Sequence, residues 1–251
     1  MKIDHPGKRQ IPGLRKLWQQ AFGDTDEYLD LFFSRAYDPL RSLCAMEGET
    51  VAAALYWLDG TCRGKPVAYL YAVATDEAYR GQGLCRRLTG KAHEILKARG
   101  YAGAVLVPAE PELFKMYEKM GYRTCAAVTE WEVPAGDSPL ALTELTAPEY
   151  AARRRNMLPK GAVIQEGPAL ELLSGMGRFY AGEGVLLTTI REKDRLWVPE
   201  LLGDKEKAPG IVSALGASRG RFRGPGQDQA FAMYCSFDDS PAPEYLGFAL
   251  D

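Results

Sequence analysis

Apolar positions recur at helical spacing from Lys8 to Phe22, with Ile11, Leu14, Leu17, Trp18 and Phe22 on one stripe and Gly23 at its end. Asp24-Thr25-Asp26-Glu27 then offers capping residues for a second helix, whose stripe is Tyr28, Leu31, Phe32 and Ala36 before Pro39 stops it. Leu43–Met46 and Val51–Leu58 predict two strands around Glu47-Gly48-Glu49, and a turn at 59–64 leads into a third, Val67–Val73. A helix follows on Leu84, Leu88, Ala92, Ile95 and Leu96, closed by Gly100. Ala102–Val107 predicts a strand. A helix starting at Pro111 carries Leu113, Met116, Tyr117 and Met120, and one more strand runs from Tyr122 to Val133.

Pro134-Ala135-Gly136-Asp137-Ser138-Pro139 is dense in turn formers and predicts a linker. Beyond it, helices over 148–157 and 168–173, a hairpin of 185–190 with 196–201, a helix near 208–215, and strands near 219–223, 231–237 and 245–250 repeat a shorter strand–helix–strand order. The fold class expected is therefore α/β (an α+β mixed sheet). The expected domains are 1–133, a linker at 134–147, and a smaller second domain at 148–251.

The stretch with chemistry is Arg80-Gly81-Gln82-Gly83-Leu84-Cys85. Two glycines let backbone N–H groups turn toward one point, and the helix that follows adds its unpaired first-turn N–H groups and the positive end of its dipole. That combination suits a phosphate, with Arg80, Arg86 and Arg87 adding cations beside it. No Gly-Lys-Ser/Thr follows and no third glycine completes GxGxxG, so it matches neither common nucleotide loop. The order Arg-x-x-Gly-x-(Gly/Ala) resembles the acetyl-CoA loop of the GCN5-related N-acetyltransferases (GNAT), with Cys85 where glycine or alanine is usual. LFKMYEKMGY resembles that family's second signature, with Tyr117 at the tyrosine and Gly121-Tyr122 at the close. The element order from residue 1 to 133 matches the family as well. The second half lacks a phosphate loop and places acids at Gly203-Asp204-Lys205-Glu206, so it resembles a degenerate GNAT-like domain without CoA.

The resemblance implies an N-acetyltransferase that moves an acetyl group from acetyl-CoA to an amine of a small molecule or peptide. It implies cofactor contacts at Val73, Thr75, Arg80, Gly81, Gln82, Gly83, Leu84, Cys85 and Arg86. Tyr117 is the implied general acid, because a phenol is protonated at neutral pH and matches a departing thiolate; its position on an apolar stripe fits plain packing equally. Many relatives have a glutamate on the central strand, and this chain has Ala68, Tyr69, Leu70 and Tyr71 there. Tyr69 or Tyr71 with a water chain, or Asp24, Asp26 or Glu27 near the amine, are the substitutes, and helix capping is the competing role for these acids. Asp251, whose terminal carboxylate would match a base that some tandem relatives use, is the third candidate, ranked behind the plain reading of a frayed, solvated end. Binding of CoA without turnover is the alternative function, and a longer-acyl or aminoacyl transferase a third.

Composition narrows this further. The charge of 31 basic minus 33 acidic residues, −2, argues against nucleic acid as a partner. Five scattered cysteines without a CxxC pair predict free thiols in a reducing compartment, the cytoplasm. Two isolated histidines, His5 and His93, predict no metal site, and no apolar run predicts a membrane span. Arg153-Arg154-Arg155 reads as a solvated helix face, with an acidic partner as the alternative.

Overall fold

The computed structural model describes residues 1–249. In chain order the elements are β1 (Lys2–Asp4), α1 (Ile11–Phe22), α2 (Asp26–Arg35), β2 (Ser42–Glu47), β3 (Thr50–Cys62), β4 (Lys65–Thr75), α3 (Leu84–Ala98), β5 (Gly103–Leu106), α4 (Pro111–Glu118) and β6 (Arg123–Pro134). They continue with β7 (Leu142–Leu145), α5 (Ala147–Met157), β8 (Ile164–Gln165), α6 (Pro168–Met176), β9 (Arg178–Gly182), β10 (Val185–Glu192), β11 (Arg195–Gly203), α7 (Ala208–Ala214), β12 (Arg219–Pro225) and β13 (Gln229–Ser236). The mixed sheet and flanking helices are those of an α/β protein.

Two compact units emerge. The first is Met1–Arg123 with Met233–Pro241; the second is Thr124–Ala232 with the residues from Ala242 onward. The sequence reading placed its boundary after Val133, whereas here most of β6 lies in the second unit and the end of β13 in the first.

In the first unit β1, β2, β3 and β4 form an antiparallel meander, β5 joins β4 in parallel, and Met233–Ser236 of β13 pairs antiparallel with β5. The parallel step needs a crossover, and α3 supplies it. Leu84, Leu88, Ala92 and Leu96 are all buried against Leu55, Trp57, Leu70, Ala104 and Leu106, so the helical stripe and the inward strand positions make one core. Gly103 can only be glycine here, since a Cβ would meet the Tyr234 ring at 2.2 Å.

In the second unit β7–β9–β10–β11 is antiparallel, α7 crosses over to β12 parallel to β11, and β12 pairs antiparallel with β6. Leu187, Leu196, Val198, Ile211, Val212 and Phe222 form its core under α7. The segment at 134–140 is held by hydrogen bonds from Ala135 N to Ser218 O, Gly136 N to Pro209 O and Leu140 N to Gly210 O.

Two expectations are corrected. The strand expected at 245–250 is absent among the described residues, apart from a single bridge of Tyr245 to Ala162. The Gln165 side chain takes the Phe248 N–H at 3.0 Å and donates to its carbonyl at 2.6 Å, which replaces a ladder. Arg154 is not solvated: its guanidinium is buried against Glu200, while Arg155 pairs with Glu166 at the surface.

Candidate active site

The site is built where β4 loses both neighbours' register. Against β3, pairing shifts between Ala54↔Ala74 and Tyr56↔Tyr71, so β4 carries a bulge. Ala72 sits in it with φ +47°, a left-handed conformation unusual for alanine. Against β5, pairing covers Val67↔Gly103, Ala68↔Ala104 and Tyr69↔Val105 and then stops, although β4 runs on to Thr75. The backbone from Leu70 onward on that side, including Val73 and Thr75, has no β5 partner among the described residues. The result is a wedge lined by main-chain donors and acceptors.

The chain leaves β4 through a short 3-10 turn, Glu77–Tyr79, capped by Asp76 Oδ1 accepting from Ala78 N at 2.9 Å. Arg80 donates to Thr75 O at 3.4 Å and faces Glu77 at 3.6 Å. Gly81 and Gly83 then take φ +76° and +72°, and a Cβ built on either meets nothing within 4 Å. The strain of an L-residue, not crowding, selects glycine at both. Gly83 caps α3, and the first bond inside the helix is Arg87 N to Gly83 O at 3.1 Å. The N–H groups of Leu84, Cys85 and Arg86 precede it and point out of the helix end. The open, positive cradle suits a phosphate or another anion. Gln82 and Arg86 are exposed beside it, and Arg87 is turned to Met1 O at 3.2 Å. Leu84 is anchored in the core.

Tyr117 of α4 is buried and its hydroxyl meets the Cys85 thiol on the first turn of α3. Burial, with that thiol, raises the phenol well above its ordinary pKa, so it stays protonated. Burial likewise raises the Cys85 thiol, which argues against a thiolate nucleophile.

On the other side of β4, Tyr71 and Tyr28 share a very short hydroxyl–hydroxyl hydrogen bond. Tyr69 and Tyr71 have ring centroids 5.9 Å apart. Asp24 accepts from the Trp18 indole at 2.7 Å, and its charge adds to the burial that raises both Tyr28, to about 12, and Tyr71. Asp24, Tyr69 and Tyr71 are thus brought together. Asp26 is diverted to Arg15 at 3.2 Å and Gln19 at 2.9 Å, and Glu27 stands exposed at the start of α2. Asp251 lies outside the described residues. Sequence reasoning missed Tyr28 and Trp18, which sat on helical stripes and passed as core, and Ala72, whose residue type signals nothing.

Among the described residues, no group of three or more His, Cys, Asp or Glu side chains is placed to hold a metal ion, and no helix is long and apolar enough to cross a membrane. None of the five cysteines is in a disulfide.

Comparison with known proteins gives a family match and a likeness of fold. The acetyltransferase (GNAT) domain family matches over residues 2–125. The likeness to a GNAT acetyltransferase domain thus covers the first half of the chain. Solved structures extend the likeness of fold beyond that domain. A GCN5-related N-acetyltransferase from Anabaena variabilis ATCC 29413 superposes with a TM-score of 0.69 at 17% identity, covering 93% of this chain and 72% of its own. One from Kribbella flavida gives 0.68 at 16%, covering 93% and 70%. A third, from Sphaerobacter thermophilus, gives 0.54 at 12%, covering 97% of both. No curated protein matches the sequence. The wedge, the glycine loop and Tyr117 all lie within residues 2–125, the stretch that the family matches.

Proposed function

We propose that this protein is an N-acetyltransferase that moves the acetyl group of acetyl-CoA to the amine of a small molecule or peptide. The observation that carries this is the loss of β4–β5 pairing after Tyr69, directly beside the αL glycines that open α3. Coenzyme A would be held by the N–H groups of residues 81–86, with Arg80 and Arg86 as cations and Val73 and Thr75, beyond the last β4–β5 pair, offering main-chain groups to the acyl arm. It supplies the thioester. Tyr117, kept protonated by burial, would donate the proton that the departing thiolate needs.

Asp24, with Tyr28 and Tyr71, forms the polar edge of an aromatic cluster. Its charge would attract a protonated amine, and the paired hydroxyls, both kept protonated by burial, would relay the amine's proton to a water chain that carries it to solvent. Asp26 and Glu27 are second choices on this reading, since one is bonded elsewhere and the other is fully solvated.

Residues from about 148 onward are proposed as a degenerate GNAT-like half without CoA. The order β10–β11–α7–β12, with β11 parallel to β12, parallels β3–β4–α3–β5. Its loop supports the loss of CoA: α7 opens on Lys207 in the right-handed region and on Pro209, which has no N–H to give, in place of the two left-handed glycines before α3. Cysteines outside disulfides support a reducing cytoplasm as the location.

One experiment decides among these readings. Purified protein is incubated with acetyl-CoA and a panel of polyamines, amino acids and peptides, and released thiol is measured. Tyr117→Phe should lower kcat by roughly 10²–10⁴-fold, the range for a lost proton donor. Binding of CoA without thiol release would favour the non-catalytic alternative, which the lack of any carboxylate on β4 supports. No affinity for any coenzyme A species would overturn both.

A further inference from the structure

The second unit has a groove that the acetyl-transfer reading does not use. Its sheet is two-faced by alternation. Trp131, Val133, Phe222, Leu196 and Val198 point under α7 into the core. The intervening residues point the other way: Glu130 and Glu132 on β6, Arg219, Arg221 and Arg223 on β12, Arg195 and Trp197 on β11. All of these except Glu130, together with Glu192, line a groove of about 440 Å³, within the size range of small-molecule sites.

The charges in it do not balance. Glu130 holds two arginines, accepting from Arg221 at 2.6 Å and from Arg223 at 2.7 Å. Glu132 reaches Arg219 through its Nε at 3.0 Å, which leaves that fork's terminal donors. Arg195 has no ion pair or side-chain hydrogen bond among the described residues, although Glu192 is its cross-strand neighbour. Arg195 and Arg219 face each other directly in the parallel register. Like charges placed so destabilise a sheet, and a plain solvated ladder would alternate sign there. Beneath them Arg223 is buried, and it and Arg221 stack on Trp197 at 5.0 and 4.8 Å from the ring centroid. Four guanidinium groups and two carboxylates line the groove, and with Glu130 behind Arg221 and Arg223 counted an excess of one positive charge remains, in a chain of net charge −2.

The geometry points to a binding site for a small oxyanionic molecule, carrying a phosphate or carboxylate group, seated between the Arg195 and Arg219 forks on the Trp197 floor. Bidentate guanidinium geometry matches either oxyanion.

The test uses the full chain at low salt, with inorganic phosphate and acetate titrated separately and tryptophan fluorescence as readout. One or both anions should give a saturable change that is lost in Trp197→Phe. Arg195→Gln and Arg219→Gln, both at exposed positions, should each raise Kd by about tenfold, the size of one charged hydrogen bond. Gly83→Val should leave that Kd unchanged, which separates this groove from the α3 loop. Tighter phosphate assigns a phosphate ester as ligand class; tighter acetate assigns a carboxylate. The proposal is overturned if wild type shows no saturable change, or if Arg195→Gln binds as wild type does.

Discussion

Arg154 and Glu200 clasp each other out of solvent, with Nε to Oε2 at 2.6 Å and Nη2 to Oε1 at 2.9 Å. Tyr150 donates to the same carboxylate at 2.9 Å and Tyr245 at 3.2 Å, and the Arg154 guanidinium lies over the Phe248 ring at 4.0 Å. The pair therefore ties α5 and β11 to the chain segment at 245–249. Glu200→Gln leaves a buried guanidinium without its counter-charge and should cost ~3–5 kcal/mol. Gly247→Ala should act in the same direction, because its Cβ would fall 1.6 Å from Glu200 Oε1. Urea midpoints of the two variants against wild type check this, and an unchanged midpoint in Glu200→Gln would contradict it.

Gly83→Val forces a β-branched residue into φ +72° at the start of α3. The space around it is open, so the cost is conformational, about 1–2 kcal/mol. On the proposed function, KM for acetyl-CoA should rise well beyond what that loss of stability explains, since the new side chain occupies the approach to the helix N-terminus. Steady-state kinetics beside a thermal melt separate the two effects.

Ala72 tests the bulge. Valine at φ +47° should destabilise the fold by ~1–3 kcal/mol, while glycine should be close to neutral, relief of strain offsetting added freedom in the unfolded chain. Acetyl-CoA turnover should fall in Ala72→Val and survive in Ala72→Gly. Equal melting temperatures for both variants would mean that the left-handed backbone there is not a constraint.

His93 makes a pH-dependent contribution. Its Nε2 shares a 2.7 Å hydrogen bond with Tyr122, and burial, helped by Lys97, lowers its pKa from 6.5 to about 4. Between those values the unfolded chain binds a proton that the folded chain excludes. Stability therefore falls as pH drops from 6.5 toward 4, with a slope of at most about 1.4 kcal/mol per pH unit from this group. In His93→Gln that part of the slope should vanish, as urea melts at pH 7, 5.5 and 4.5 would reveal. A slope identical to wild type would assign the acid sensitivity to other groups.

Much of the candidate site is legible in the chain because its signals are local. The Arg80–Cys85 loop is read from glycine spacing and the helical stripe after it, and both depend on residues within a few turns of each other. Thr25 capping α2, where it accepts from Tyr28 N at 3.3 Å, is readable for the same reason. Asp24 is different. Its sequence neighbourhood predicts a cap, yet tertiary packing carries it to Trp18 and within electrostatic reach of Tyr28 and Tyr71.

By itself the sequence determined the order of strands and helices in residues 1–123, the glycine loop before α3, and Tyr117 as the phenol to examine, because caps, glycines and periodicity act between near neighbours. Only the tertiary structure decided where β4 parts from β5, that Ala72 takes a left-handed turn, and that Arg154 is buried while Arg155 is not. It also brought Arg195 opposite Arg219 from segments 24 positions apart. Strand register and burial are set by partners distant in the chain, and no local pattern encodes which partner arrives.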